Sequence, residues 1–305
     1  MEVEDQPLNS HTGIGVLFNP SMDLFVEHHL HNLDYLAVTP DRAWIDRGTG
    51  SPNRFQPLPL AVALLRKVAA KIPIVLHSIG LSIGSADIFD EEYARNLINW
   101  AEELNSPWIS EHLSFTRVGK RREINSAVAL PIPYDQELLD LLIPRVKFFT
   151  ESLRCPFLLE NNVYYFAYPE QSFSEETFLN ELCRQTKSMV LLDLHNLYTN
   201  SVNHGFDALD YLKNLNLENV REIHIAGGVR MMGFHTDSHT GPVLDEVWRL
   251  LEYTVPRTTK LQGITFEFHE SSFRLLREEG ILAQVAQARE IVGKNVATGL
   301  SASAG

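Results

Sequence analysis

Cysteine, positive charge and long apolar runs are all scarce in this 305-residue chain. Only Cys155 and Cys183 occur, in apolar surroundings and in no CxxC pattern. A disulfide framework and a zinc ribbon are therefore not what organises the fold. No apolar run approaches the ~20 residues that span a bilayer, so no membrane association is expected. The opening Met1-Glu2-Val3-Glu4-Asp5 has neither the basic start nor the apolar core of a signal peptide, and the expected location is cytoplasmic. Lys and Arg number 26 against 39 Asp and Glu, a formal net charge of -13. That balance argues against nucleic acid as a partner, because a sequence-independent grip relies on cations at phosphates. Bound cations would offset part of the negative charge. No Gly-rich phosphate loop follows the first predicted strand, which ranks a doubly wound open sheet well behind the alternative developed next.

What is present is a regular alternation. Short apolar runs read as strands at 14–18, 33–38, 72–77, 108–112, 157–162, 190–196, 220–228 and 263–270. Almost every one leads into a segment with helical spacing: 22–32, 58–71, from Asp90, 135–153, from Ser174, from Asp207, 244–253 and 272–292. Eight strand–helix units in a chain of this length predict a single (β/α)8 barrel, of the TIM type, over residues 13–294. Residues 1–12 are expected to be a flexible lead and 295–305 a flexible tail.

Twelve histidines are the more telling count, because several end strands. Strand six, Val190-Leu191-Leu192-Asp193-Leu194-His195-Asn196, breaks from an apolar run into an acid, an imidazole and an amide. On a strand Asp193 and His195 would share one side, since side chains alternate with period two. The pattern recurs at His77, at Glu111 with His112, at Glu160 with Asn161, at His224, and at Glu267 with His269. Asp237 and His239 lie in the loop after strand seven. In a parallel barrel the C-terminal strand ends converge on one mouth, where such barrels carry their chemistry. Core packing gives no reason for so many buried carboxylates and imidazoles, which are costly unless paired. The alternatives are a hydrogen-bonded polar mouth or a metal centre. Mixed imidazole and carboxylate ligands suit iron, manganese or zinc, and their number exceeds what one ion takes. A site for two or three ions is therefore predicted.

Other features read more plainly. His28, His29 and His31 lie on a surface helix and read as solvated. Lys120-Arg121-Arg122 reads as an exposed turn, with reception of an acidic peptide as its functional alternative. Trp44, Tyr164, Tyr165 and Phe166 read as packing, in loop positions that also allow contact with a substrate.

Several motifs together resemble one known family. They are His77-Ser78-Ile79-Gly80-Leu81-Ser82-Ile83-Gly84, Ser110-Glu111-His112-Leu113, Leu130-Pro131-Ile132-Pro133-Tyr134 and Leu159-Glu160-Asn161. Asp193 through Asn196, Asn203-His204-Gly205-Phe206-Asp207, His224-Ile225-Ala226-Gly227, Asp237-Ser238-His239 and Glu267 complete the set. The resemblance, over about residues 13–276, is to the multinuclear non-haem iron-dependent oxidative enzymes that include the methanobactin biosynthesis oxidase. It implies two or three iron ions, O2 as co-substrate, and modification of a ribosomally made precursor peptide, often at cysteine. A small partner protein that recognises the peptide leader frequently accompanies such enzymes. By motif position the ligands would be His77, His112, Glu160, Asn161, Asp193, His224, Asp237, His239 and Glu267.

The chain also departs from that family. His195 stands where relatives commonly have an asparagine, and is an additional or replacement ligand. Gly228 replaces the second histidine of the strand-seven motif, for which His235 is a candidate substitute. Phe268-His269 stands where relatives commonly have Trp-Asp, which makes His269 a candidate general acid or base. The second strand, reading Val38-Thr39-Pro40-Asp41, lacks the family's usual acid. The expected function is an iron-dependent, O2-using oxidase of a precursor peptide. The alternatives are a redox-neutral metal enzyme on the same scaffold, such as a sugar isomerase or phosphodiester hydrolase, and a binding module without catalysis.

Overall fold

The computed structural model describes residues 12–119 and 124–302, and all statements below concern these. The Lys120-Arg121-Arg122 run and nearly all of the 1–12 lead lie outside the described residues. Eight strands close a parallel barrel: β1 (Gly13–Leu17), β2 (Tyr35–Val38), β3 (Ile74–Ser78), β4 (Ile109–His112), β5 (Phe157–Glu160), β6 (Met189–Asp193), β7 (Val220–Ala226) and β8 (Gly263–Glu267). Each pairs with its neighbours in sequence and β8 pairs back onto β1. The predicted (β/α)8 architecture is the observed one.

Around it lie α1 (Asp23–His29), α2 (Pro59–Ala69), α3 (Glu91–Glu103), α4 (Gln136–Ser152), α5 (Glu175–Thr186), α6 (Leu194–His204), α7 (Ala208–Asn214), α8 (Asp245–Thr254) and α9 (Phe273–Ala302). Side-chain caps set several starts: Asp90 accepts from the Tyr93 amide, Asp135 from that of Leu138 and Asp207 from that of Leu209. Helix α9 bends at Arg277, whose φ of 54° is left-handed, and runs to Ala302, past the expected end near 292. Two-stranded hairpins occupy the loops after β2 (Trp44–Asp46 with Phe55–Pro57), β4 (Phe115–Val118 with Ile124–Leu130) and β7 (Arg230–Met231 with Phe234–His235).

Two apolar regions hold the fold. The larger lies between strands and helices; the smaller fills the barrel with Leu17, Tyr35, Ala37, Val75, Trp108, Leu158 and Leu191. Tyr35 and Trp108 meet edge to face, with ring centroids 5.3 Å apart. They need glycines opposite them: a Cβ on Gly15 would lie 2.5 Å from the Tyr35 ring, and one on Gly263 2.8 Å from that of Trp108. Above this plug the period-two alternation sends polar residues of several strands inward, two positions on from the apolar one. Val75 is followed by His77, Leu158 by Glu160, Leu191 by Asp193, and Trp108 by Ser110 and then His112. The barrel register sets His112 beside Glu160 and Asp193 beside His224.

Candidate metal centre

Nine of the ten sequence-predicted ligands come together at the mouth. They form five overlapping groups: His77/His112/Glu160, His77/His224/Glu267, Glu160/Asp193/His224, Asp193/His239/Glu267 and His195/Asp237/His239. Within each, the ligand atoms lie within 4.8 Å of one another.

The imidazoles of β3 and β4 are aimed by their neighbours. The Ser110 hydroxyl donates to the Leu76 carbonyl at 3.3 Å, so His77 Nδ1, 2.9 Å away, donates to Ser110. His112 Nδ1 lies 3.2 Å from the Ser78 carbonyl, which only accepts. Each ring therefore turns a bare Nε2 into the barrel mouth, at 3.4 Å and 3.2 Å from the same oxygen, Oε2 of Glu160. That oxygen is buried and has no hydrogen-bond partner. Burial lowers the affinity of both imidazoles for protons, His77 most strongly. Three lone-pair donors thus face one point, a geometry that calls for a cation or a proton between them.

On β6 the expectation needs correcting. The strand ends at Asp193, not Asn196, because Asp193 caps α6: its Oδ1 accepts from the Asn196 amide at 2.6 Å. His195 is therefore in the first helical turn, and strand alternation is not what places it. It is still fully buried, 3.7 Å from Asp237, and neither ring nitrogen has a hydrogen-bond partner. Burial takes it down to about 4, which keeps it a neutral donor. Asn161 is the exception among the predicted ligands. Its amide clamps the Asp193 backbone, accepting from the N–H at 2.8 Å and donating to the carbonyl at 3.0 Å.

Across the mouth, His224 Nδ1 lies 3.2 Å from Glu267 and its Nε2 3.3 Å from Glu222. His239, in the left-handed region at φ 45°, sits 2.7 Å from Asp237 and 3.1 Å from Glu267. The Tyr165 hydroxyl accepts from the Asp237 amide at 3.1 Å and ties this loop to the one after β5.

Protonation is shared unevenly. Burial, opposed by His224 and reinforced by nearby carboxylates, pushes Glu160 well above the ordinary range; burial takes Asp193 to about 7. Burial would raise Glu267 as well, but His239 and His224 hold it well below. The same contacts, against burial, hold His224 and His239 well above an ordinary imidazole, through Glu222 with Glu267 and through Asp237 with Glu267. A cation entering the mouth would displace those protons.

Other predicted residues fall elsewhere. His269 is exposed, belongs to none of the five groups, and caps the turn at Glu270–Ser272 with its Nδ1 2.8 Å from the Ser271 hydroxyl. His235 packs on Tyr198, and the space beside Gly228 holds His195 instead. Glu111 alternates away from the mouth, where burial and then the charge of Asp41 push it well up. His29 pairs with Glu278 at 2.9 Å, apart from the site. Trp44 is buried packing, whereas Tyr165 and Phe166 are half exposed. Sequence reading placed Ser110 and Asn196 within motifs but gave them no role; register and turn position supply it. An outer groove lined by Tyr198, Phe206, Glu246, Arg249 and Tyr253 includes none of the clustered side chains.

Comparison with known proteins agrees with this architecture. The family model described as RiPP precursor modification enzyme MbnB/TglH/ChrH matches residues 13–292, RiPPs being ribosomally synthesised and post-translationally modified peptides. A UPF0276 protein of Caulobacter vibrioides is 35% identical over 245 residues, 80% of this chain and 82% of the relative. One from Anaeromyxobacter sp. is 33% identical over 260 residues, 85% and 90%. Among solved structures, D-psicose 3-epimerase from Clostridium cellulolyticum H10 has a TM-score of 0.58 at 9% identity, covering 92% of this chain and 99% of that one. The IOLI protein with a binding zinc atom has a TM-score of 0.59 at 13% identity, covering 93% and 99%. At such identities the likeness is one of fold. No helix among the described residues is long and apolar enough to cross a membrane.

Proposed function

The chain belongs to the RiPP precursor modification enzyme family MbnB/TglH/ChrH, and from that premise we propose that it is an iron-dependent, O2-using oxidase of a precursor peptide. The observation that carries the reading is the convergence of two bare imidazole nitrogens on an unpartnered Glu160 oxygen, with four further donor groups around it. Mixed imidazole and carboxylate donors suit iron, and nine of them suffice for two or three ions. The ligands in this proposal are His77, His112, Glu160, Asp193, His195, His224, Asp237, His239 and Glu267. Iron held there would supply one-electron redox chemistry and O2 activation, which no side chain supplies alone.

The chain's own residues orient and enclose. Ser110 and the Ser78 carbonyl fix the tautomers of His77 and His112, and Asn161 fixes the backbone that carries Asp193. Asp237 is the most exposed member and marks the side from which a peptide would reach the cluster. Tyr165, Phe166, Met231 and Phe234 are exposed on the loops and hairpin adjoining it, and offer apolar contacts to a peptide. A small partner protein that holds the peptide leader belongs to the same proposal.

The test is metal analysis of anaerobically purified protein, with EPR before and after air. Two or more irons per chain and an O2-sensitive signal are expected. His112→Ala and Asp193→Ala should each lower bound iron and stop O2 consumption; full activity in either would overturn the assignment. Stoichiometric zinc or manganese, without iron or O2 uptake, would indicate a redox-neutral sugar isomerase or phosphodiester hydrolase instead.

A further inference from the structure

Beneath the mouth lies a carboxylate that packing does not explain. Glu222 is two residues before His224 on β7, faces the barrel interior and is 1% exposed. Around it are Tyr35, Trp108 and the aliphatic plug, where a carboxylate costs free energy unless fully satisfied.

Its partners are arranged as donors. The Trp108 indole N–H donates to Oε2 at 2.7 Å, and the Thr265 hydroxyl donates to Oε1 at 2.6 Å. Tyr35 lies 2.7 Å from Thr265, and since the Thr265 proton is directed at Glu222, the Tyr35 hydroxyl donates to Thr265. The third direct partner is His224, with Nε2 3.3 Å from Oε1. A carboxylate already receiving two protons from below has only acceptor capacity left for His224, so Nε2 carries the proton. Nδ1, which faces Glu267 at 3.2 Å, is then the nitrogen whose proton a cation would replace.

We propose that Glu222 is a positioning residue: it takes the Nε2 proton of His224, fixes the ring and its tautomer, and presents Nδ1 to the cation. This rests on reading the mouth as a metal centre. It also gives His224 the opposite polarity to His77 and His112, which turn Nε2 to the mouth. A carboxylate behind a ligating histidine fixes its orientation and strengthens it as a donor.

The experiment uses the full chain loaded with zinc as a diamagnetic probe, 15N-histidine NMR, and zinc affinity by chelator competition. Wild-type protein should show a histidine ligated through Nδ1 with a protonated Nε2, beside others ligated through Nε2. Glu222→Gln should remove that signature and weaken zinc binding about 10- to 100-fold. Trp108→Phe, which removes a donor but keeps the Glu222–His224 contact, should leave both unchanged. Equal weakening by Glu222→Gln and Trp108→Phe would make the role one of packing and overturn the proposal. So would absence of the Nδ1-ligated signature from wild-type protein, a result that needs no variant to fold. Wild-type affinity in Glu222→Gln would overturn it too, while leaving the metal centre standing. Failure of the wild-type chain to bind zinc or iron would remove the metal reading and this one with it.

Discussion

The imidazole of His195 occupies the space that a side chain at residue 228 would need. A Cβ on Gly228 would collide with His195 Nε2 and lie 2.9 Å from the Thr236 carbonyl. The two residues come from different elements, the first turn of α6 and the loop after β7, and the glycine is what admits the ring. Gly228→Ala should therefore displace His195 and break up the His195/Asp237/His239 group, leaving His77/His112/Glu160 untouched. Elemental analysis of the variant should show one metal fewer per chain.

Asn161→Ala should act on the same centre through the backbone. Losing both bonds to Asp193 leaves its buried N–H unpaired, while its carbonyl keeps the first bond of α6, at about 1–3 kcal/mol. Denaturant unfolding of the metal-free protein measures this directly, without reference to bound ions.

Metal loading should depend on pH with a definite sign. His224 and His239 are held well above an ordinary imidazole by their carboxylate partners, so near neutrality both carry protons before a cation binds. Binding must release them, so affinity should rise with pH and fall on acidification. Titration calorimetry with zinc at pH 7, in two buffers of different ionisation heat, should report net proton release as the mouth fills.

Away from the mouth, Arg54 should prove the main polar fastening of the first hairpin. It is 2% exposed and makes paired bonds to Asp46 at 2.7 Å and to Asp90 at 2.7 and 2.8 Å. Arg54→Ala leaves Asp90 half-paired in a buried setting, and should cost about 3–5 kcal/mol in thermal or denaturant unfolding. Metal content of the folded fraction should not change.

The sequence by itself determined the barrel and most of the cluster. Parallel barrel strands are buried on both faces and read as continuous apolar runs, so their ends stand out wherever an acid or imidazole interrupts them. His77, His112, Glu160, His224 and Glu267 were legible for that reason. What only the tertiary structure decided was which polar group does what. Asp193 capping α6 puts His195 on a helix, a boundary that an apolar run cannot show, since it continues through Leu194. Asn161 and His269 have the residue types of a site, but their hydrogen bonds are spent on the Asp193 backbone and on Ser271. Glu222 is written plainly in the strand, yet its partners Trp108 and Thr265 come from other strands. Ligand type is a property of the residue; orientation, tautomer and available space are set by neighbours distant in the chain.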